Sequence, residues 1–139
     1  MGARGSICWV IALVGCSTPP VDTGDLGFHV VGSQPEHGDQ TVLEAVLPEL
    51  RLSAPADTSV CGYDHFVLVA IDDQVHGEVA FYPEIELEFV DSGNKVLFNH
   101  EEPFPSGYAY AMMALETDNP CTDTNGVPLR AHGVEFYIP

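Results

Sequence analysis

Basic side chains are nearly missing from this chain. Lysine and arginine together number 4 against 21 aspartates and glutamates in 139 residues, for a formal net charge of −17. Nucleic acid and anionic lipid headgroups are recruited by clustered lysine and arginine, so this composition excludes both as partners. Long apolar runs are missing too: stretches such as Ile7–Val14 and Phe66–Ile71 fall well short of the roughly 20 apolar residues of a permanent transmembrane helix. No Gly-x-Ser-x-Gly elbow, His-Glu-x-x-His pair or glycine-rich phosphate loop occurs, which removes the enzymes that carry those motifs. His29, His37, His65, His76, His100 and His132 stand at turns and strand ends without a partner two or four residues away. The cysteines include no Cys-x2-Cys, the close spacing on which zinc sites are built. Adjacent acids at Asp72-Asp73 and Glu101-Glu102 read as solvated turn residues rather than a general acid and base. The abundant acid itself reads as solubility on a crowded surface.

What is present begins at the N-terminus. Arg4 precedes the apolar run Ile7–Val14, a positively charged start followed by a short hydrophobic core, as in a processed export signal. Leu13-Val14-Gly15-Cys16 resembles the bacterial lipobox, and a polar, proline-bearing stretch follows it directly. The resemblance implies removal of residues 1–15, a lipid on Cys16 and a flexible tether over residues 16–27, so that the chain meets the membrane through its N-terminal lipid. Because Ser17 rather than aspartate follows Cys16, it also implies delivery to the outer membrane of the cell envelope. Two other readings compete: Met1-Gly2 with Ser6 fits an N-myristoylation pattern, and an ordinary secretory signal cleaved nearby would leave a soluble product.

Cysteine parity agrees with export. Cys8 falls within the signal and Cys16 within the lipobox, leaving Cys61 and Cys121 as an even pair in a chain bound for an oxidising compartment. We expect them to be bridged, which in the chain-entropy picture stabilises the fold by about 4 kcal/mol for a loop of this length.

From Phe28 onward the pattern has period two. Short strands are predicted at 28–33, 47–53, 65–71, 77–82, 84–90, 95–99, 108–115 and 133–138. Ile85, Leu87 and Phe89 alternate with Glu84, Glu86 and Glu88, the clearest half-buried pattern in the chain. Pro83 marks a break or an edge, and Asp91-Ser-Gly-Asn94 reads as a hairpin turn. No helical window survives; the faint one near Val42–Leu50 is disfavoured by Pro48. Seven or eight such strands over residues 28–139 predict an all-β, antiparallel β-sandwich. Its core would be drawn from Leu50, Leu52, Phe66, Leu68, Ile85, Leu87, Phe89, Phe98, Tyr110, Met112 and Phe136.

The order of several short motifs resembles the bacterial Ig-like domains of S-layer and surface proteins, the Big_5 or SbsA Ig-like family. They are Val31-Gly-Ser-Gln-Pro35-Glu-His-Gly38, Leu50-Arg-Leu-Ser53, Pro103-Phe-Pro105-Ser-Gly107 before Tyr110-Ala-Met-Met-Ala114, Asp123-Thr-Asn-Gly-Val-Pro-Leu129 and Val134-Glu-Phe136. The chain departs from the family pattern at Leu52-Ser-Ala-Pro55, where Phe-Ser is usual, and in the loop carrying Cys61. The resemblance implies an antiparallel Ig-like β-sandwich whose B–C and F–G loops lie at one end, which would bring Cys61 and Cys121 together.

The binding candidates are few. Asp118, Asp123 and Asn125 offer oxygens that suit Ca2+, without the fixed spacing or terminal glutamate of an EF-hand, while the same residues read first as an Asx-rich hairpin loop tied down by a disulfide. Phe81, Tyr82, Phe104, Tyr108 and Tyr137 form a candidate sugar-stacking platform. The leading reading is a non-enzymatic, surface-anchored lipoprotein whose Ig-like module serves adhesion, envelope structure or assembly with an envelope protein. The alternative is an accessory binding protein for Ca2+ or polysaccharide. Labelled palmitate is expected to enter the protein, and Cys16→Ala to abolish both labelling and membrane fractionation. Labelling that persists in Cys16→Ala would sink the lipobox assignment.

Overall fold

The computed structural model describes residues 27–71 and 78–139. The expected signal, Cys16 and nearly all of the tether lie outside the described residues, as do Asp72, Asp73 and His76.

Among the described residues eight strands form: β1 (Val30–Gln34), β2 (Glu49–Leu52), β3 (Phe66–Ile71), β4 (Val79–Phe81), β5 (Glu86–Val90), β6 (Lys95–Asn99), β7 (Tyr108–Ala114) and β8 (His132–Ile138). They assemble into two four-stranded antiparallel sheets, ordered β1-β2-β6-β5 and β4-β3-β7-β8. That order is the A-B-E-D and C′-C-F-G arrangement of an Ig-like sandwich. Most strands are shorter than predicted by a residue or two at their ends, where pairing partners run out. The first begins at Val30, and Phe28 instead makes an isolated parallel bridge to Leu129.

Alternation along each strand decides what faces inward. Leu50, Leu52, Val96 and Phe98 from the first sheet meet Phe66, Leu68, Tyr110, Met112, Val134, Phe136 and Ile138 from the second, all buried. Ile85, Leu87 and Phe89 are only half-buried while Glu84, Glu86 and Glu88 are exposed, because β5 is an edge strand at the open side of the sandwich. Phe89 still reaches across to β3, edge-on to Phe66 at 5.9 Å. Pro83 lies where the chain leaves the second sheet at β4 and enters the first at β5, so the missing amide N–H falls between ladders rather than within one.

The opposite side closes differently. After β1 the chain turns at Pro35 and runs beside β8: Gly38 N–H donates to the Glu135 carbonyl, Tyr137 N–H to Asp39 and Val42 N–H to Tyr137. Despite the departure at Leu52-Ser53, pairing persists there, with Ser53 N–H donating to the His29 carbonyl at 2.8 Å.

Tyr110 sits at the centre of the aromatic core. It is fully buried, stacks on Phe136 at 5.7 Å, packs beside Phe104 at 5.4 Å and meets Phe81 edge-on at 6.4 Å. Its hydroxyl donates to the Pro105 carbonyl in the loop just before β7, the same kind of bond as the tyrosine corner of Ig-like folds. Burial first, then neighbouring Tyr108 and Glu44, pushes the phenol up to about 12, so it stays a donor at any physiological pH. Tyr110→Phe keeps the ring and strands the Pro105 carbonyl, for an expected loss of about 1–3 kcal/mol. Thermal melting would show it as a drop of several degrees, and an unchanged midpoint would refute the role.

Candidate functional site

The two ends of the sandwich differ in kind. At one end the loops after β2, β5 and β7 are fastened to each other. The Cys61–Cys121 disulfide joins the first and third of them, with the Cα atoms 4.5 Å apart. Asp57 N–H donates to the Thr122 carbonyl and Thr124 N–H to Pro55. His65, itself buried, bridges the same two loops. Its Nδ1 accepts from Gly62 N–H at 3.1 Å while Nε2 lies 2.6 Å from the Asn119 carbonyl, a pair of contacts met together when the ring carries its proton on Nε2. The β5–β6 turn docks from the third side. Its Gly93 has φ +95°, its carbonyl accepts from Ala56 N–H at 2.9 Å, and a Cβ at this position would fall 2.9 Å from the Ala56 carbonyl oxygen. Only glycine meets both demands.

The Ca2+ candidates belong to this end. Asp123 is buried, and one carboxylate oxygen accepts from both Asn125 N–H and Val127 N–H at 2.9 Å. Asp118 and Asn125 are exposed. Among the described residues no three His, Cys, Asp or Glu side chains are placed to hold a metal ion. The Asp123 carboxylate therefore orders its own loop, as an Asx turn does. Asp57 acts likewise: hydrogen bonds from the Ser59 hydroxyl and then the Ser59 amide hold its carboxyl below the usual range.

At the open side of the sandwich lies a groove of about 700 Å³. The β4–β5 crossing, with Tyr82, Glu84 and Glu86, forms one wall and the β6–β7 loop, with Glu101 and Glu102, forms the other, while Tyr63 comes from the loop after β2. His100 organises the floor. It stacks on buried Phe104 at 3.8 Å, and its ring nitrogens lie 2.6 Å from the Glu102 and Val46 carbonyls. Phe104 N–H donates to the Glu44 carbonyl at 3.0 Å, so the β6–β7 loop is held against the β1–β2 loop. Tyr63 is 57% exposed and Tyr82 70%, and the Tyr63 hydroxyl accepts from Leu87 N–H on the free edge of β5 at 3.1 Å.

This arrangement revises the aromatic platform. Phe81, Tyr82 and Phe104 do meet in the groove, but Phe104 is buried in its floor, and Phe81 packs edge-on against half-buried Tyr108 at 5.1 Å. Tyr137 lies on β8, whose inward faces are Val134, Phe136 and Ile138. Tyr82 is thus the platform's one well-exposed ring in the groove. Tyr63, which the sequence pattern did not single out, is the second. Several of the described histidines contact backbone groups. His37 Nδ1 accepts from Glu135 N–H, and burial, followed by nearby His37 and His29, holds His132 below its ordinary value.

No family model and no curated protein matches the chain by sequence. Solved structures do match in fold. The bacterial S-layer protein SbsC superposes with TM-score 0.55 at 15% identity over 83% of this chain, which spans 14% of that structure. The N-terminal part of SbsC gives TM-score 0.55 at 16% identity over 84% of this chain and 24% of the other. At such identity the shared property is the sandwich fold, carried by a small part of a much longer protein.

Asp123→Ala would leave two loop amides without their acceptor, and the expected cost is about 2–3 kcal/mol. Asp123→Asn, which keeps one carbonyl oxygen, should recover part of the lost melting temperature. If Asp123→Ala melts with the wild type, the carboxylate is not what orders this loop.

Proposed function

We propose that the chain is a non-catalytic module of the cell envelope, an Ig-like sandwich displayed on a lipid-bearing Cys16 through the tether of residues 16–27, where it contacts other envelope components. The fold likeness to domains of the S-layer protein SbsC carries this reading, and the lipobox resemblance supports its placement at the outer membrane. The non-catalytic part is supported by the use of the polar groups: the ring nitrogens of His65 and His100 contact backbone groups, and Asp123 caps its loop. These side chains hold the scaffold together and are not left open to substrate.

The accessory-binding alternative divides in two. Its Ca2+ branch rests on Asp118, Asp123 and Asn125, and the central carboxylate of that set is already occupied by two amides. Its ligand-binding branch gains an open groove with two exposed tyrosines. In cells carrying the full chain, chemical cross-linking is expected to join it to envelope components, and the purified chain to release no soluble fragments from purified envelopes. Release of fragments above a heat-denatured control would overturn the non-catalytic reading.

A further inference from the structure

We infer that the groove beside β5 is a docking site for an extended, lysine- or arginine-bearing segment of another protein. The inference rests on the reading of the chain as a binding module and names the chemistry of its partner. Four exposed carboxylates, Glu84, Glu86, Glu101 and Glu102, line the groove from both walls, and no lysine or arginine lines it. The side-chain nitrogen donors of the lining are already committed. The Asn99 amide donates to Glu88 at 2.9 Å, and the His100 ring lies against two carbonyls. What remains at the mouth is acceptor oxygen and tyrosine.

A ligand complementary to that set supplies donors and positive charge. Ammonium and guanidinium groups do both, and each is also attracted to the face of an exposed tyrosine ring. Tyr63 is already oriented for such contact, because its hydroxyl bond to Leu87 N–H fixes the ring at the rim. A neutral sugar fits less well, since its hydroxyls accept as readily as they donate and find few donors here. Anionic polymers are repelled.

A second copy of this chain, with 4 lysines and arginines against 21 acidic residues, is repelled by the groove rather than drawn to it. Lys95 lies 3.6 Å from Glu49 and 3.5 Å from Asp91. Arg51 lies so close over Gly32 that an added Cβ there would fall 2.0 Å from the guanidinium, and Arg130 also has a partner. The segment therefore comes from a different protein.

The test titrates the full-length protein with a short peptide alternating lysine and valine, its glutamate counterpart, and neutral and glucosamine oligosaccharides. The lysine peptide is expected to bind, more weakly as salt is raised, and the glutamate peptide to show no binding. Glu84→Gln with Glu101→Gln should weaken binding about tenfold or more and Tyr82→Ala several-fold, all with unchanged melting. Removing the same charge elsewhere, by Glu36→Gln with Asp118→Asn, should change affinity less than about twofold. Equal losses in the groove and control variants would reduce the effect to overall acidity and overturn the site. So would absence of peptide binding at millimolar concentration, or preferential binding of either oligosaccharide. Membrane fractionation of the same protein is read separately, so failure of the groove and failure of the envelope assignment are distinguishable.

Discussion

Burial of the Tyr110 ring is the interaction on which the rest of the molecule leans. A phenol is taken out of water only when its hydroxyl finds a partner, since an unsatisfied buried hydroxyl costs on the order of 1–3 kcal/mol. Here the partner is the Pro105 carbonyl, which ties the core to the loop entering β7. That loop holds Phe104 against Tyr110, Phe104 carries His100, and His100 reaches the carbonyl of Val46. One wall and the floor of the groove thus depend on a residue in the middle of the sandwich.

The other end obeys a different constraint. Its loops are long and polar, and without cross-links they would retain most of their conformational freedom on folding. The Cys61–Cys121 bond removes much of that freedom from the unfolded chain, and His65, Asp123 and Gly93 direct what remains into one arrangement. Side chains that read as candidate ligands or bases in isolation are thereby occupied with backbone amides and carbonyls.

Features with local causes were legible in the sequence. The alternation of Ile85, Leu87 and Phe89 with glutamates follows from the strand's period of two, and it located β5 with the correct face inward. The Asp91–Asn94 turn followed from residues that tolerate left-handed backbone, and Asp91, Ser92 and Gly93 all have positive φ. Parity pointed to the cysteine pair. Features assembled from distant segments were not legible. Phe104 stands between prolines in a stretch that reads as exposed loop, and it is buried only because Tyr110 and His100 close over it. The groove draws on Tyr63, on the β4–β5 crossing and on the loop after Asn99, and no spacing rule links those positions. Asp123 was visible as an oxygen donor, whereas its burial, which decides what the oxygen does, belongs to the tertiary structure.

The scarcity of cations bears on both stability and association. With Lys95 held between Glu49 and Asp91 and Arg51 laid across Gly32, most carboxylates have no internal counter-charge. The resulting self-repulsion opposes compaction. A disulfide across 60 residues and a continuous aromatic core offset it. The same repulsion acts between copies. On any surface that concentrates such domains, like-charged faces keep them apart, so contacts among identical neighbours are disfavoured just where local concentration would otherwise promote them. A partner bearing the opposite charge meets no such barrier. The acidity that reads from composition as solubility thus also weighs against contacts between copies and favours partners of the opposite charge.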